Sequence, residues 1–314
     1  MSSPLGIDNY ALRGRGWPAA RLLDYVVRHG LDRLFLSDLK VFPDRSERAL
    51  RAFGRRANDS GIVLHVGMLS ICPGSMLFDA AAGSAADQLR ETIRVAAAVG
   101  SPIARCVLGR VDDRLGEGGI ARRIEETLEV LSEVRPWALD HGVRIAVENH
   151  SGDLRSMELR RLIELAGADC VGAVYDLGNT LWAMEDPQEA LETLAPLVVS
   201  TGIRDGMVWR TEGGAFLQWT AVGNGLVDWE AFLPRFSELC PGVPLMLETI
   251  SGRPNGLPLA GVEATPAFRR LLDRGRALSP GPHADADYQQ KELERSLAFL
   301  RRRAIGPVVS QSAP

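Results

Sequence analysis

A single (β/α)8 TIM barrel of the α/β class, followed by an extra C-terminal helix, is the architecture this sequence predicts, and three observations predict it. Short β-rich apolar runs alternate with longer amphipathic stretches eight times, the pattern of βα units around a parallel sheet. Glycine recurs between a helical stretch and the next strand, at His29-Gly30, Ser60-Gly61, Val99-Gly100 and His141-Gly142, where a glycine just past a helix lets the chain turn back. The long connections, 70–83, 109–119, 206–227 and 251–264, all follow strands, so barrel closure gathers them on one rim.

The predicted strands run over 5–8, 33–37, 62–66, 103–108, 144–148, 172–176, 198–203 and 244–248, and most begin just after a Gly, Asp or Pro turn signal such as Pro4, Asp32, Gly61 or Pro102. Between them the spacing predicts helices over 19–29, 45–60, 85–99, 120–140, 156–166, 187–194, 229–239 and 265–274. In the 120–140 stretch the spacing of Ile124, Leu128, Leu131, Val134 and Leu139 predicts one apolar stripe facing the sheet, with Arg123, Glu126 and Glu133 expected to face water. A last helix over about 288–303 follows the Pro/Gly-rich link 279–283, which sets the expected division: a barrel over 1–278, then a helical extension and flexible tail over 279–314. An open doubly wound sheet is the alternative topology.

With 46% hydrophobic and 24% charged residues the chain has enough apolar matter for a large core and enough charge to stay dissolved. A formal charge of -4 argues against nucleic acid, whose binders carry a basic face. The sequence shows no apolar run of membrane-spanning length and no leader-like start, so the expected setting is cytoplasmic, without membrane contact, and the expected partner is a small molecule. Homo-oligomerisation is compatible with it. Cys72, Cys106, Cys170 and Cys240 are too far apart for a zinc knuckle or redox pair and are expected in the core.

Three strands end in a carboxylate beside a polar or turn segment: Ile145-Ala-Val-Glu148-Asn149-His150, Val174-Tyr-Asp176-Leu-Gly-Asn179 and Leu245-Met-Leu-Glu248-Thr249. A carboxylate closing an apolar strand is partly desolvated and needs a cation, a donor or a proton. In a closed barrel all three project to one mouth, where a divalent metal would relieve their repulsion. The plainer alternative is that they cap helices or pair with Arg204 or Arg253.

These motifs resemble the xylose isomerase-like barrels of the sugar phosphate isomerase/epimerase superfamily. In that family strand five ends in a metal-binding Glu followed by Asn, strand six in a metal-binding Asp within Asp-x-x-Asn/His, and strand eight in a metal-binding Glu. Val147-Glu148-Asn149-His150, Asp176-Leu-Gly-Asn179 and Glu248 match, and Val222-Gly-Asn-Gly-Leu-Val-Asp-Trp229 is similar to the family's segment after strand seven. One position departs: where strand seven carries a ligating His in His-x-Lys/Arg-Asp, this chain reads Thr201-Gly202-Ile203-Arg204-Asp205. An all-oxygen site favours Mg or Mn over Zn or Co. The vacant position is then completed by water or a substrate oxygen, by Gln218 or His150, or the site has lost its metal.

The resemblance implies a metal-dependent sugar isomerase or epimerase that abstracts a proton beside a carbonyl through an enediolate. Glu148 and Glu248 take the acid–base roles, and Glu148, Asp176 and Glu248 are the metal ligands. The same apparatus supports a dehydratase or lyase acting on a keto-sugar, keto-polyol or keto-glycoside, and a non-catalytic barrel is the rival from another class. The family's repair-endonuclease branch is excluded by charge and by too few histidines. His29, His141 and His283 fall on helices or links, His65 reads as a core histidine, and His150 is left as the mouth candidate. His150, Asn179, Trp182, Arg204, Gln218 and Arg253 are the expected substrate-binding residues, Asp205 flanks the mouth, and Trp209, Phe216 and Trp219 join Trp182 as a candidate apolar wall.

Overall fold

A computed structural model of the chain describes residues 3–212, 214–257, 263–283 and 285–304. Eight parallel strands form the barrel: β1 (Leu5–Asp8), β2 (Arg33–Leu36), β3 (Val63–Ser70), β4 (Ile103–Val107), β5 (Arg144–Glu148), β6 (Val171–Asp176), β7 (Val198–Gly202) and β10 (Leu245–Leu247). They pair in the order β10-β1-β2-β3-β4-β5-β6-β7. A bridge from Ile203 to Leu247 draws the two ends together, with Ile203 N donating to Met246 O at 2.7 Å and Glu248 N to Ile203 O at 3.1 Å. The fold is the expected (β/α)8 barrel.

The intervening helices are α1 (Ala19–Arg28), α2 (Glu47–Asp59), α3 (Ala85–Val99), α5 (Gly119–Asp140), α6 (Ser156–Ala166), α8 (Pro187–Leu194), α9 (Trp229–Leu239) and α10 (Pro266–Arg274), with short turns α4 (Val111–Leu115) and α7 (Leu177–Trp182) at the rim. Their starts are chemically marked: Ser46, Ser84, Asp186 and Asp228 each accept a backbone N–H of the first turn. Apolar helix stripes and the outward strand faces share the main core, while Phe35, Ile103, Ala146, Val174 and Met246 pack inside the barrel.

The last helix, α11 (Ala286–Ala304), buries Leu293, Leu297 and Leu300 in the main core. It also reaches the loops of the rim: Ser296 Oγ accepts Val222 N and bonds Thr249 Oγ1, and Gln289 donates to Ser251 O while accepting Ser251 N. The expected tail over 305–314 lies outside the described residues.

The connection 206–227 differs from the loop the sequence suggests. Asp205–Thr211 (β8) and Gly214–Thr220 (β9) pair antiparallel, and Pro254–Leu257 (β11) adds to β9, making a three-stranded sheet over the rim. The cause is visible in its packing: Val208, Leu217, Leu257, Phe268, Leu271 and Leu272 form a small second core beneath it. All four cysteines are free and buried, as expected of core thiols. No helix among the described residues is long and apolar enough to cross a membrane.

Candidate active site

Strand periodicity builds the site. Phe35, Ile103, Ala146, Val174 and Met246 point into the barrel, and side chains repeat every second residue, so Ser37, Arg105, Glu148, Asp176 and Glu248 form the next inward layer. On β1 the same layer holds Asp8, and Gly202, the last residue of β7, and Arg204, just past it, also face inward.

Glu148, Asp176 and Glu248 are therefore brought together, each offering a carboxylate oxygen within 4.8 Å of the others. All three are buried, Asp176 completely. Asp176 Oδ1 accepts Asn179 N at 2.8 Å and so caps α7. Its backbone is latched by Asn149, whose Oδ1 accepts Asp176 N and whose Nδ2 donates to Asp176 O, both at 2.8 Å. Glu148 Oε1 accepts Asn179 Nδ2 at 3.3 Å.

Two buried guanidiniums compensate these charges. Arg204 Nη2 lies 2.7 Å from Asp176 Oδ2 and 2.8 Å from Glu248 Oε2. Arg105 Nε lies 3.2 Å from Glu148 Oε2, and its Nη2 lies 3.8 Å from Asp8 Oδ2. Four carboxylates still outnumber two cations. Burial, reinforced by Glu248, pushes Asp8 up to about 7 against the pull of Arg105. Burial likewise raises Asp176 and Glu248, with Arg204 opposing it in both. Burial works against the charge of Arg204, but Asp176, Glu248, Glu148 and Asp8 hold it protonated more firmly than usual.

Glu148, Glu248, Arg105, Arg204, His150, Trp182 and Trp219 line a cavity of about 570 Å³ at the barrel mouth. His150 Nδ1 donates to Gly109 O at 2.7 Å, which leaves Nε2 to accept from Ser151 Oγ at 3.3 Å. Burial pulls its pKa down to about 4, so the ring is neutral at pH 7. Asn179 is buried with its Oδ1 unpartnered. His65 is an interior residue bonded to Ser200 Oγ at 3.0 Å.

Gln218 and Arg253 are not brought to this cavity. Gln218 lies on β9, donates to Ser279 O at 3.1 Å and lines a separate cavity, whereas Trp219, one residue on, faces the mouth. Arg253 is exposed. Trp209 and Phe216 stack on each other in the hairpin, ring centroids 5.7 Å apart, and do not line the mouth. Asp205 is structural: its carboxylate collects the N–H groups of Gly206, Gly223 and Gly225 and the indole N–H of Trp229, pinning the segment after β9.

Sequence reasoning passed over Arg105 and Asp8. The signal for Arg105 was a charge inside the apolar run Ile103-Ala-Arg-Cys-Val107 of a doubly covered parallel strand. Asp8 closes β1 as the other three carboxylates close theirs.

Oxygen donors at this spacing suit a hard divalent ion such as Mg or Mn. The Arg204 guanidinium is in contact with two of the three, and a Cβ added at Gly202 would overlap Asp176 Oδ2 and come within 2.8 Å of its Cγ. An ion shared by Glu148, Asp176 and Glu248 would have to share Asp176 and Glu248 with Arg204.

Residues 23–273 match the family described as Xylose isomerase-like TIM barrel. Among curated relatives, the uncharacterized protein YihM of Escherichia coli is 27% identical over 117 residues, 37% of this chain, and the match spans only about a third of that protein, 36%. The 3-oxo-isoapionate decarboxylase of Pectobacterium atrosepticum is 22% identical over 214 residues, 68% of this chain and 70% of that protein. Among solved structures, D-psicose 3-epimerase in the presence of D-fructose superposes with a TM-score of 0.66 at 18% identity, over 97% of this chain and 100% of that one.

Proposed function

As the chain belongs to the xylose isomerase-like TIM barrel family, we propose that it is a sugar isomerase or epimerase that moves a proton beside a carbonyl through an enediolate. The observation that carries this reading is the shared cavity: Glu148 and Glu248, from strands on different sides of the mouth, both line it. A substrate carbon seated between them loses its proton to one carboxylate and regains one from the other. The electron pair of the broken C–H bond moves onto the adjacent carbonyl oxygen, and reprotonation on the opposite face inverts the centre with no net change of atoms.

Glu248 suits proton exchange because burial raises its proton affinity, against the pull of Arg204. The neutral His150 positions substrate hydroxyls and Asn179, which does not line the cavity, holds Glu148, while Trp182 and Trp219 offer apolar faces to the sugar ring or chain. A Mg or Mn ion at the three carboxylates would have to share Asp176 and Glu248 with Arg204, and it would supply a second positive charge for the oxygen that gains the electron pair.

A second reading, a C–C lyase, is favoured by the decarboxylase relative. In a β-keto acid the electron pair of the C–CO₂ bond flows to the same oxygen, CO₂ leaves and one of the two acids protonates the carbon. The test is a panel of ketoses and β-keto sugar acids incubated in D₂O with wild type, Glu148→Gln and Glu248→Gln, followed by NMR and CO₂ detection. Exchange at carbon without CO₂, lowered about 100-fold or more in each variant, is expected. CO₂ release with one deuterium gained selects the lyase, and exchange unaffected by both substitutions refutes the assignment of the carboxylates.

A further inference from the structure

Arg204 occupies a slot that the chain builds for it. A Cβ at Gly178 would come within 2.7 Å of Arg204 Cβ, 2.9 Å of its Cδ and 2.8 Å of the Trp219 ring. Gly202 leaves the Asp176 carboxylate room to turn towards the guanidinium. Trp219 covers the charge, with its ring centroid 5.4 Å from Arg204 Cζ. The next residue, Asp205, is fixed by several N–H groups, so the backbone that carries Arg204 is itself held. A surface arginine needs none of this.

The slot ends among the carboxylates. Arg204 touches Asp176 and Glu248, and Arg105 holds Glu148, so every member of the trio has a guanidinium partner. No imidazole among the described residues joins them: Nδ1 of His150 is committed to Gly109 O and Nδ1 of His65 to Ser200 Oγ. Arg204 also lines the substrate cavity, and its Nε is a buried donor without a partner. A guanidinium cannot be deprotonated at ordinary pH and offers parallel donors, which suits two neighbouring oxygens of an enediolate.

We propose that the Arg204 guanidinium, seated between Asp176 and Glu248 in the slot made by Gly178 and Gly202, is the fixed cation of this site and that the protein works without a divalent ion. The inference rests on the enediolate reading for its chemical use, but the occupancy of the site is separable from it. In catalysis Arg204 donates hydrogen bonds to the oxygen that gains the electron pair, whether the bond broken is C–H or C–CO₂, and no oxidant or reductant is consumed.

The experiment measures metal directly. Purified wild type, Arg204→Lys and Arg204→Ala are analysed for bound divalent metals and titrated with MnCl₂ by calorimetry and by Mn electron paramagnetic resonance, with circular dichroism confirming folding. The wild type should carry well under one equivalent of metal, give no Mn binding at millimolar concentration and keep its D₂O exchange in EDTA. Arg204→Ala should lose turnover by about 100-fold or more, the scale of one oxyanion donor, and Arg204→Lys should lose less. One tightly held equivalent of metal in the wild type, or turnover lost in EDTA and restored by Mn, overturns the proposal. Both of these results are read on the wild type alone, so a variant that fails to fold does not remove the test. If no substrate shows exchange or CO₂ release, the enediolate reading fails while the metal measurement still decides what occupies the site.

Discussion

Replacing Gly202 with alanine tests the geometry of the site with one methyl group. The new Cβ would overlap Asp176 Oδ2, and it would sit 2.8 Å from Asp176 Cγ and 3.1 Å from Asp176 Cβ, where ordinary contact begins near 3.4 Å. Asp176 Cγ must therefore withdraw by about 0.6 Å, and its outer oxygen by more. Withdrawal is opposed on every side: Oδ1 holds Asn179 N, Oδ2 meets Arg204, and Asn149 grips the Asp176 backbone through two bonds. Overpacking of a tight interior costs about 1–3 kcal/mol, and loosening one charge-assisted contact adds about 1–2, so Gly202→Ala should destabilise the fold by about 2–5 kcal/mol. Urea unfolding with a shared m value measures it. Gly256→Ala is the control, because a Cβ there meets nothing within 4 Å and surface changes of this kind stay within about 0.5 kcal/mol. Equal unfolding midpoints for the two variants would refute the claim that Asp176 fills the space beside residue 202.

Asn149→Ala should cost about 2–4 kcal/mol in the same assay, since it strips partners from a buried N–H and a buried C=O of Asp176 at once; a loss under about 1 kcal/mol would mean that water replaces the latch. His65 gives a pH-dependent prediction. Burial first, then Arg33, pulls its pKa down to about 3, so the unfolded chain, with an imidazole near 6.5, takes up the proton first. The contribution of this group is complete above pH 6.5 and is lost as pH falls from there towards 3, amounting to about 2 kcal/mol at pH 5. In His65→Asn the fall in unfolding free energy between pH 7.5 and pH 5 should be smaller than in wild type by about that amount, measured by urea melts at both pH values, and an unchanged difference would contradict it.

The barrel is legible in the sequence because its two periodicities do not compete: strand runs of four to six apolar residues end at a turn signal, and helical stripes recur every three to four residues. The prediction of 198–203 for the seventh strand, against Val198–Gly202 observed, is typical of the agreement, and Ile203 still makes the closing bridge. The hairpin over the rim was not legible as such, because 206–227 follows a strand where a loop is expected. Treating it as a loop removed the rule that neighbouring strand residues face opposite ways. That rule separates Gln218, on the side of the Ser279 contact, from Trp219, at the mouth. The three carboxylates were legible as strand ends, whereas Arg105 was not, since a charge in mid-strand is recognised only once the inward layer it belongs to is assembled.

Gly202 and Arg204 are two residues apart, so both face the barrel axis, and their identities are physically linked. A side chain at 202 and the Asp176–Arg204 pair compete for one volume: adding even a Cβ drives Asp176 away from the guanidinium. A side chain at 202 would therefore have to be accommodated by moving Asp176, and with it the contact between Asp176 and Arg204. The carboxylates persist under either arrangement, because removing one beside a buried guanidinium leaves an uncompensated charge that costs about 3–5 kcal/mol. Three acidic strand ends at a barrel mouth therefore call for a compensating cation, which Arg204 supplies in this structure to Asp176 and Glu248. The test of that role is the double variant Gly202→His with Arg204→Ala, which should bind Mn where Gly202→His alone does not; Mn binding by the single variant would show that Arg204 yields its place without being removed.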